Sequence, residues 1–500
     1  MLFHPRIRFT SLPFPTSNCP VHFRDDAETL MVSRKGMETD ALRVVMFCGW
    51  LGVGDLGILQ QISLRLCREC RNNMLSHLVV TELTPWSLWK NDASDGGKCR
   101  VTSRVPFPKV VRMTWELSLA LMTRCAWPTE LKNLTFGASF NESIPRLSAG
   151  ESEPRLNITD LEGAVPARVG WPEEIEEIEF GFSFNRRVDG VEWPQGLKVL
   201  TFGWEFNQAL TGILLPRGLK QLTVGTCFNK PLEGVAWPNG LEVLRFGQYF
   251  NQPIQDVKWP RGLKVLIFGD HFNQMLDGIV WPKGLRQLEF GRFFNQSIEG
   301  VRWAEGLTHL TFGSNFDQPV EQCTWLNGLT ELIFGASFNH PIDKVVWPDS
   351  LECLMFQDSF NQPIGKASFP SGLKLLEFGW CFNQPLQGVV WPEGLEKVTF
   401  GYDFNQSLEG VALPGGLQSL NFEGMFNQPI NGVAWPTKLK QLAFGIAFNQ
   451  PVAGVKWPTE LERLDLGGVG FNQPLDGVVW PEGLVELTVR RVSQALPPKK

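Results

Sequence analysis

The stretch that decides the fold is residues 263–284, LKVLIFGDHFNQMLDGIVWPKG, because the same pattern returns along the chain with a fixed period of 22. Its Trp-Pro pair recurs at intervals of one period or a whole number of periods, until a final interval that is longer by one position. The tryptophans of these pairs are Trp127, Trp171, Trp193, Trp237, Trp259, Trp281, Trp347, Trp391, Trp435, Trp457 and Trp480. The missing places hold large apolar residues, namely Leu215, Trp303, Trp325, Phe369 and Leu413. A fixed period of this length is typical of a repeat solenoid, here of about sixteen coils.

Each unit, counted from Leu263 as position 1, is predicted to hold one short β-strand and an irregular return. Leu266 and Phe268 alternate as inward-pointing residues of a strand, and Gly269 permits the turn that follows. One coil cannot bury its own leucine, phenylalanine and tryptophan side chains, but stacked copies bury them together. We therefore predict a mainly β repeat solenoid with one short parallel strand per coil.

The most regular feature is a Phe-Asn pair at positions 10 and 11, which occurs in fifteen units with Asn replaced only once, by Asp317. One interpretation is a ladder of exposed amides that binds a ligand. The other is an internal ladder, in which each amide bonds backbone groups of its own turn and the next coil. We favour the internal ladder, because buried turns must satisfy their polar groups and a binding surface seldom repeats one residue without variation. The tryptophan places are likewise interpreted as core, with a partly exposed indole ridge as the alternative.

The string Phe-Asn-Gln-Pro-Ile at residues 250–254, 360–364 and 426–430 resembles the FNIP repeat, a relative of the leucine-rich repeat. The resemblance extends over residues 126–490 and implies a leucine-rich-repeat-like solenoid. This chain has Trp before Pro where leucine is usual in that family. Leu215 and Leu413 keep the usual form.

The segment before the repeats is predicted to be different. Asp55 can begin a helix, and apolar residues recur at helical spacing after it. This segment resembles a degenerate F-box, although the opening Leu-Pro of that motif is absent. The resemblance implies a ubiquitin-ligase adaptor as partner and assigns its binding to Phe47, Leu51, Leu56, Leu59 and Ile62. An ordinary small helical cap is the alternative.

These patterns predict five regions along the chain. They are a disordered or loosely attached stretch at 1–37, a helical F-box-like segment at 38–75, a junction and cap at 76–125, the solenoid at 126–490, and a basic tail at 491–500.

Composition and charge exclude several classes of function. The net charge of −6 disfavours general affinity for nucleic acid or membranes, and no stretch of 18 apolar residues is present. Ten cysteines in 500 residues are too sparse for a disulfide scaffold, which favours a cytoplasmic or nuclear protein. The Gly-x-Gly-x-x-Gly of residues 52–57 lacks the βαβ context of a dinucleotide site, and Cys67-x-x-Cys70 has no second cysteine pair. We expect no cofactor, no metal site and no catalytic centre.

Binding is expected where the repeat varies, at positions 8 and 9 of the turn. Both tyrosines of the chain stand there, and aromatic side chains on a rigid edge are typical anchors of interfaces. The candidate partner-binding residues are Trp204, Tyr249, His271, Phe293, Trp380 and Tyr402. The alternative is that these side chains only cover the edge of the sheet. The leading hypothesis is a protein-interaction module, and more specifically the substrate receptor of a cullin-type ubiquitin ligase; a passive scaffold is the alternative.

Overall fold

The computed structural model describes two compact units. The first comprises residues 1–144 and 151–182, and the second comprises residues 145–150 and 183–500. Within these bounds, the structure describes residues 31–34, 41–46, 77–82, 112–115, 131–144, 171, 174–468 and 470–489.

The first unit contains six described strands. They are β1 (Met31–Arg34), β2 (Ala41–Met46), β3 (His77–Glu82), β4 (Arg112–Trp115), β5 (Asn133–Phe136) and β6 (Glu177–Glu179). The first two strands pair antiparallel, and from β2 to β6 each strand pairs parallel with the next. Parallel pairing therefore begins well before the first Trp-Pro pair of the sequence.

Two of these strands lie where the sequence predicted other structure. Residues 31–34 form β1 inside the stretch expected to be disordered, and residues 41–46 form β2 inside the segment expected to be helical. The physical reason is pairing with a distant segment: β2 receives backbone hydrogen bonds from β1 on one side and β3 on the other, which local periodicity does not reveal. The candidate adaptor-binding residues, from Phe47 to Ile62, lie outside the described part of the chain.

The second unit contains fourteen described strands. They are β7 (Val199–Thr201), β8 (Gln221–Thr223), β9 (Val243–Arg245), β10 (Val265–Ile267), β11 (Gln287–Glu289), β12 (His309–Thr311), β13 (Glu331–Ile333), β14 (Cys353–Met355), β15 (Leu375–Glu377), β16 (Lys397–Phe400), β17 (Ser419–Phe422), β18 (Gln441–Ala443), β19 (Arg463–Asp465) and β20 (Glu486–Thr488). Leu266 stands opposite Leu288, one period along the chain, in a parallel sheet. The register lengthens by one residue at the end, where Leu464 meets Leu487. No described residue is helical, so the predicted solenoid of one short parallel strand per coil is confirmed.

The core consists of repeated apolar columns that run from coil to coil. Leu263, Leu266 and Phe272 are completely buried. Phe272 stacks between the equivalent rings of the coils on either side, with ring centroids 6.0 Å from Phe250 and 6.2 Å from Phe294. Each coil thus buries its aromatic side chains against its neighbours.

The tryptophan column closes the back of the coil. Trp281 is buried, stacks on Trp259 at 6.4 Å, and Trp259 meets Phe268 edge-on. The interpretation of these places as core holds for half of the tryptophans described there, namely Trp193, Trp259, Trp281, Trp303, Trp325 and Trp347. The other half remain half-buried, namely Trp171, Trp237, Trp391, Trp435, Trp457 and Trp480. The indole nitrogen of Trp281 finds no hydrogen-bond acceptor among the residues described, so apolar burial and ring stacking hold this side chain.

Glycine at position 7 is required by close packing of the backbone. A Cβ added at Gly269 would lie 1.8 Å from the carbonyl oxygen of Gly247, in the preceding coil. Two coils among those described have another residue at position 7, Gln357 and Glu423. After Glu423, Gly424 supplies the missing space one residue later. An added Cβ at Gly424 would lie 2.5 Å from the ring of Tyr402, so that ring covers the glycine.

Candidate functional site: the turn edge

The turn edge is the row of side chains at positions 8 and 9 of successive coils, directly after the glycine that ends each strand. The backbone fixes this row, because the position 9 amide donates to the position 8 carbonyl of the preceding coil. Examples are the bonds from Phe293 to Asp270 at 2.7 Å and from Cys381 to Asp358 at 2.7 Å. Side chains that are one period apart along the chain are therefore neighbours on a rigid edge.

The first aromatic group on this edge consists of Tyr249, His271 and Phe293. Tyr249 and His271 lie 4.6 Å apart between ring centroids, and His271 and Phe293 lie 4.9 Å apart. Tyr249 remains 44% exposed. The guanidinium of Arg292 lies 5.4 Å from the centre of the Phe293 ring, within the range of a cation–π contact. Three of the candidates named from the sequence thus form one continuous surface.

The second aromatic group consists of Trp380 and Tyr402. Their rings stack with centroids 4.4 Å apart and 20° between the ring planes. Trp380 is 54% exposed, while Tyr402 is half-buried over Gly424. Trp204, the sixth candidate, is 45% exposed on the same edge but belongs to neither group. The structure therefore brings five of the six candidates together, as a group of three and a pair.

Sequence reasoning overlooked two exposed apolar side chains of the same edge. Met425 and Ile446 occupy positions 9 and 8 of their coils and are exposed. The signal was present, since each is a large apolar residue at a variable turn position. Both residues follow Tyr402 and extend the apolar surface of the second group.

The Phe-Asn pair has a different role from the turn edge. The Oδ1 atom of Asn273 accepts the backbone N–H of Asn295 at 2.9 Å and the Nε2 group of Gln296 at 3.1 Å. The internal ladder is correct in its bonds to the next coil, although Asn273 is half-buried rather than enclosed. At the one exception, Asp317 accepts the N–H of Asn339 and pairs with His340, whose Nε2 lies 3.2 Å from a carboxylate oxygen. These amides connect coils, and their regularity follows from that task.

The strand face carries both signs of charge. Glu242 lies between Lys220 at 2.9 Å and Lys264 at 2.6 Å, and hydrogen bonds from these two ammonium groups lower the pKa of Glu242 to about 2. Near the end of the second unit, Lys397, Asn421, Arg463 and Asp465 line a shallow groove. Mixed charge of this kind does not single out one class of ligand.

Two cysteine thiols of the second unit have raised pKa values. Burial raises the pKa of Cys323 and of Cys353 to about 11, so both thiols stay protonated near neutral pH. No three histidine, cysteine or carboxylate side chains in the described ranges come together in a way that suits a metal ion. The same part of the chain contains no helix with the length and apolar character needed to cross a membrane.

Comparison with known proteins agrees with this geometry. The sequence model of the FNIP repeat matches residues 184–227, 228–258, 259–293, 327–359, 360–403 and 404–447. Among curated proteins, none matches the sequence.

Among solved structures, the chain is similar to CroV588, described as a novel circular leucine-rich-repeat protein. The identity is 28% and the TM-score is 0.60, over 91% of this chain and 70% of that one. An internalin, inlF from Listeria monocytogenes, is 13% identical with a TM-score of 0.35, over 60% of this chain and 82% of its own. A solenoid of this type is typical of non-enzymatic proteins that interact with other proteins. The chain contains six FNIP-repeat matches, and its coils form a leucine-rich-repeat-like solenoid.

Proposed function

We propose that this solenoid binds a protein partner along its turn edge, with Trp204, Tyr249, His271, Phe293, Trp380 and Tyr402 as contact residues. The observation that carries the proposal is the pair of exposed aromatic groups on a backbone-locked edge. Rigid aromatic side chains supply a large contact area and lose little conformational entropy on binding, which is why they dominate binding energy in protein interfaces.

The test is to replace Trp204 and Trp380 by alanine in separate variants and to measure partner capture and melting temperature for each. A true anchor costs at least about 2 kcal/mol of binding when truncated, or about thirtyfold in affinity. Val390, 77% exposed outside the turn edge, supplies the matched control Val390→Ala. If both tryptophan variants lose stability and capture the partner normally, these side chains only cover the sheet edge, and the strand face becomes the candidate surface.

We further propose that the chain is the substrate receptor of a cullin-type ubiquitin ligase, acting in the cytoplasm or nucleus. The support for this proposal is the sequence pattern of Phe47, Leu51, Leu56, Leu59 and Ile62, which resembles an F-box. The solenoid would then hold the substrate, and the N-terminal segment would hold the ligase adaptor.

Point substitutions test the ligase proposal better than a deletion, because residues 41–46 form strand β2 and removing them would disturb its sheet. We expect Leu56→Asp and Ile62→Asp to abolish recovery of adaptor and cullin from cells, while capture through the turn edge continues. Failure of the unaltered chain to recover either ligase component would refute the proposal and leave a scaffold without ligase contact.

A further inference from the structure

We propose that the second aromatic group, Trp380 and Tyr402, binds an arginine-containing basic segment of the partner protein. This inference rests on the proposed function, because it specifies the chemistry of the partner for one part of the turn edge. The surface in question, termed the 380–402 patch, comprises Trp380 and Tyr402 with the carboxylates of Asp358, Asp403 and Glu423 around them.

The first reason is that the 380–402 patch offers an exposed aromatic side chain, Trp380, which stacks on Tyr402 by one face only. In the first aromatic group, the chain supplies its own cation, with Arg292 over the Phe293 ring at 5.4 Å. At Trp380, positions 7 to 9 of the surrounding coils, residues 357–359, 379–381, 401–403 and 423–425, contain no lysine, arginine or histidine. Tryptophan is the aromatic side chain that attracts a cation most strongly. A guanidinium from a partner would find at Trp380 the contact that Arg292 already makes elsewhere.

The second reason is that carboxylates surround these rings and lack partners. Asp358 precedes Trp380 by one coil at the same turn position, and Asp403 follows Tyr402 directly. Within the described ranges, neither makes an ion pair, and the same holds for Glu423. By contrast, Glu242 on the strand face pairs with two lysines of adjacent coils. The patch therefore has negative charge that a basic partner can neutralise.

The local electrostatics agree with this geometry. Burial, and then the carboxylates of Asp403 and Asp358, raise the pKa of Cys381, which lies between these two residues on the edge. Burial and the carboxylate of Glu377 raise the pKa of Glu423. Burial is the larger cause of both shifts, and the neighbouring carboxylates act in the same direction.

The spacing favours a polypeptide over a metal ion. Asp358 and Asp403 belong to coils two steps apart, on the order of 10 Å at the usual distance between strands. That distance is too long for a single ion to bridge. An extended chain covers it in about three residues. A segment with arginines three residues apart would place one guanidinium near each carboxylate, with the aromatic pair between them.

The experiment uses the full chain and a fluorescein-labelled peptide of repeated Arg-Gly-Ser, with a Gln-Gly-Ser peptide of equal length as the neutral probe. Binding is measured by fluorescence anisotropy at low ionic strength, for four proteins. They are the unaltered chain, Trp380→Ala with Tyr402→Ala, Asp358→Asn with Asp403→Asn, and the control Glu393→Gln with Glu409→Gln. The control removes the same two charges from exposed carboxylates outside the turn edge.

We expect each patch variant to bind the arginine peptide at least tenfold more weakly, the control to stay within twofold, and the glutamine peptide not to bind. Equal losses of affinity in the patch and control variants would mean that the peptide responds only to the overall charge of the protein, and this result would overturn the inference. Binding of the glutamine peptide as tight as that of the arginine peptide would overturn it as well. Unchanged melting temperatures establish that the altered proteins are folded.

Partner capture from cells separates this inference from the proposed function. Capture that requires Trp380 but is unaffected by Asp358→Asn with Asp403→Asn overturns the basic-segment inference and leaves the proposed function standing. Capture unaffected by either patch variant or by Trp204→Ala overturns the proposed function itself, and the inference with it.

Discussion

Phe293 and Phe294 are adjacent in sequence and belong to two different parts of the molecule. Phe293 is 36% exposed on the turn edge, whereas Phe294 is completely buried in the ring column of the core. The residue after Phe294 is the ladder asparagine Asn295, which bonds both neighbouring coils. One turn therefore contains an exposed position, that of Phe293, directly beside positions whose side chains join the coils, those of Phe294 and Asn295. Contact between coils constrains the residues at the joining positions, whereas the residue at the exposed position can vary.

The exception at Asp317 supports this comparison. Where the ladder asparagine is replaced by aspartate, the acceptor oxygen is kept, and the next coil supplies His340 in place of the usual glutamine. The replacement found at the ladder position therefore preserves the hydrogen bonds between coils. At positions 8 and 9, by contrast, residues as different as tryptophan, glycine and aspartate occur.

The largest effect is expected from the two adjacent phenylalanines. Phe294→Ala should lower the free energy of unfolding by about 3–5 kcal/mol, because it leaves a cavity between Phe272 and Phe316. Phe293→Ala should cost at most about 1 kcal/mol, for the cation–π contact with Arg292. Denaturant titration of both variants measures the difference. Similar losses of stability in the two variants would show that Phe293 belongs to the core as Phe294 does, and the distinction between the two positions would be wrong.

A smaller effect is expected at the ladder. Asn273→Ala should cost about 1–3 kcal/mol, because the N–H of Asn295 and the amide of Gln296 lose their shared acceptor. Asn251→Ala and Asn383→Ala should behave alike, since their coils are equivalent. The matched control is Asn273→Asp, which keeps an acceptor oxygen as Asp317 does and should lie close to the unaltered protein. Losses near zero in all three alanine variants would contradict the coupling role.

The pair of Asp317 and His340 should contribute less to stability, because both side chains are partly exposed to solvent. We expect His340→Ala to cost about 0.5–1 kcal/mol. His340→Gln should be nearly neutral, because glutamine is the residue that other coils use at this place. Thermal melts of both variants measure this. A glutamine variant as unstable as the alanine variant would mean that the histidine is needed for more than a hydrogen bond.

The smallest effect is expected on the strand face and depends on pH. Because the pKa of Glu242 is lowered from an ordinary 4.5 to about 2, its ion pairs stabilise the folded protein above pH 4.5 and are lost as pH falls toward 2. Glu242→Gln should therefore reduce the loss of folding stability that occurs as the pH falls from 4.5 toward 2. Urea titrations between pH 2 and pH 6 test this, with Glu393→Gln as the control. If Glu242→Gln leaves the dependence of stability on pH unchanged, the ion pairs of the strand face do not contribute to stability.

Much of the fold was predictable because the same pattern of residues recurs in many coils that have the same local environment. The many copies of one pattern average out exceptions, so the strand, the turn and the core positions could be assigned from residue types alone. The region before the repeats has no copies to compare. There, strand β2 forms through pairing with β1 and β3, which no local spacing reveals.

For the candidate site, the sequence by itself determined which positions of the coil can vary and which residues occupy them. Only the tertiary structure decided which of them meet. Tyr249, His271 and Phe293 become one surface because one full period along the chain is a single step between stacked coils. The same stacking decides that Glu242 has two lysine partners while Asp403 has none among the described residues. These contacts depend on the direction in which each side chain points toward the next coil. The stacking of the backbone sets that direction, and the order of residues alone does not.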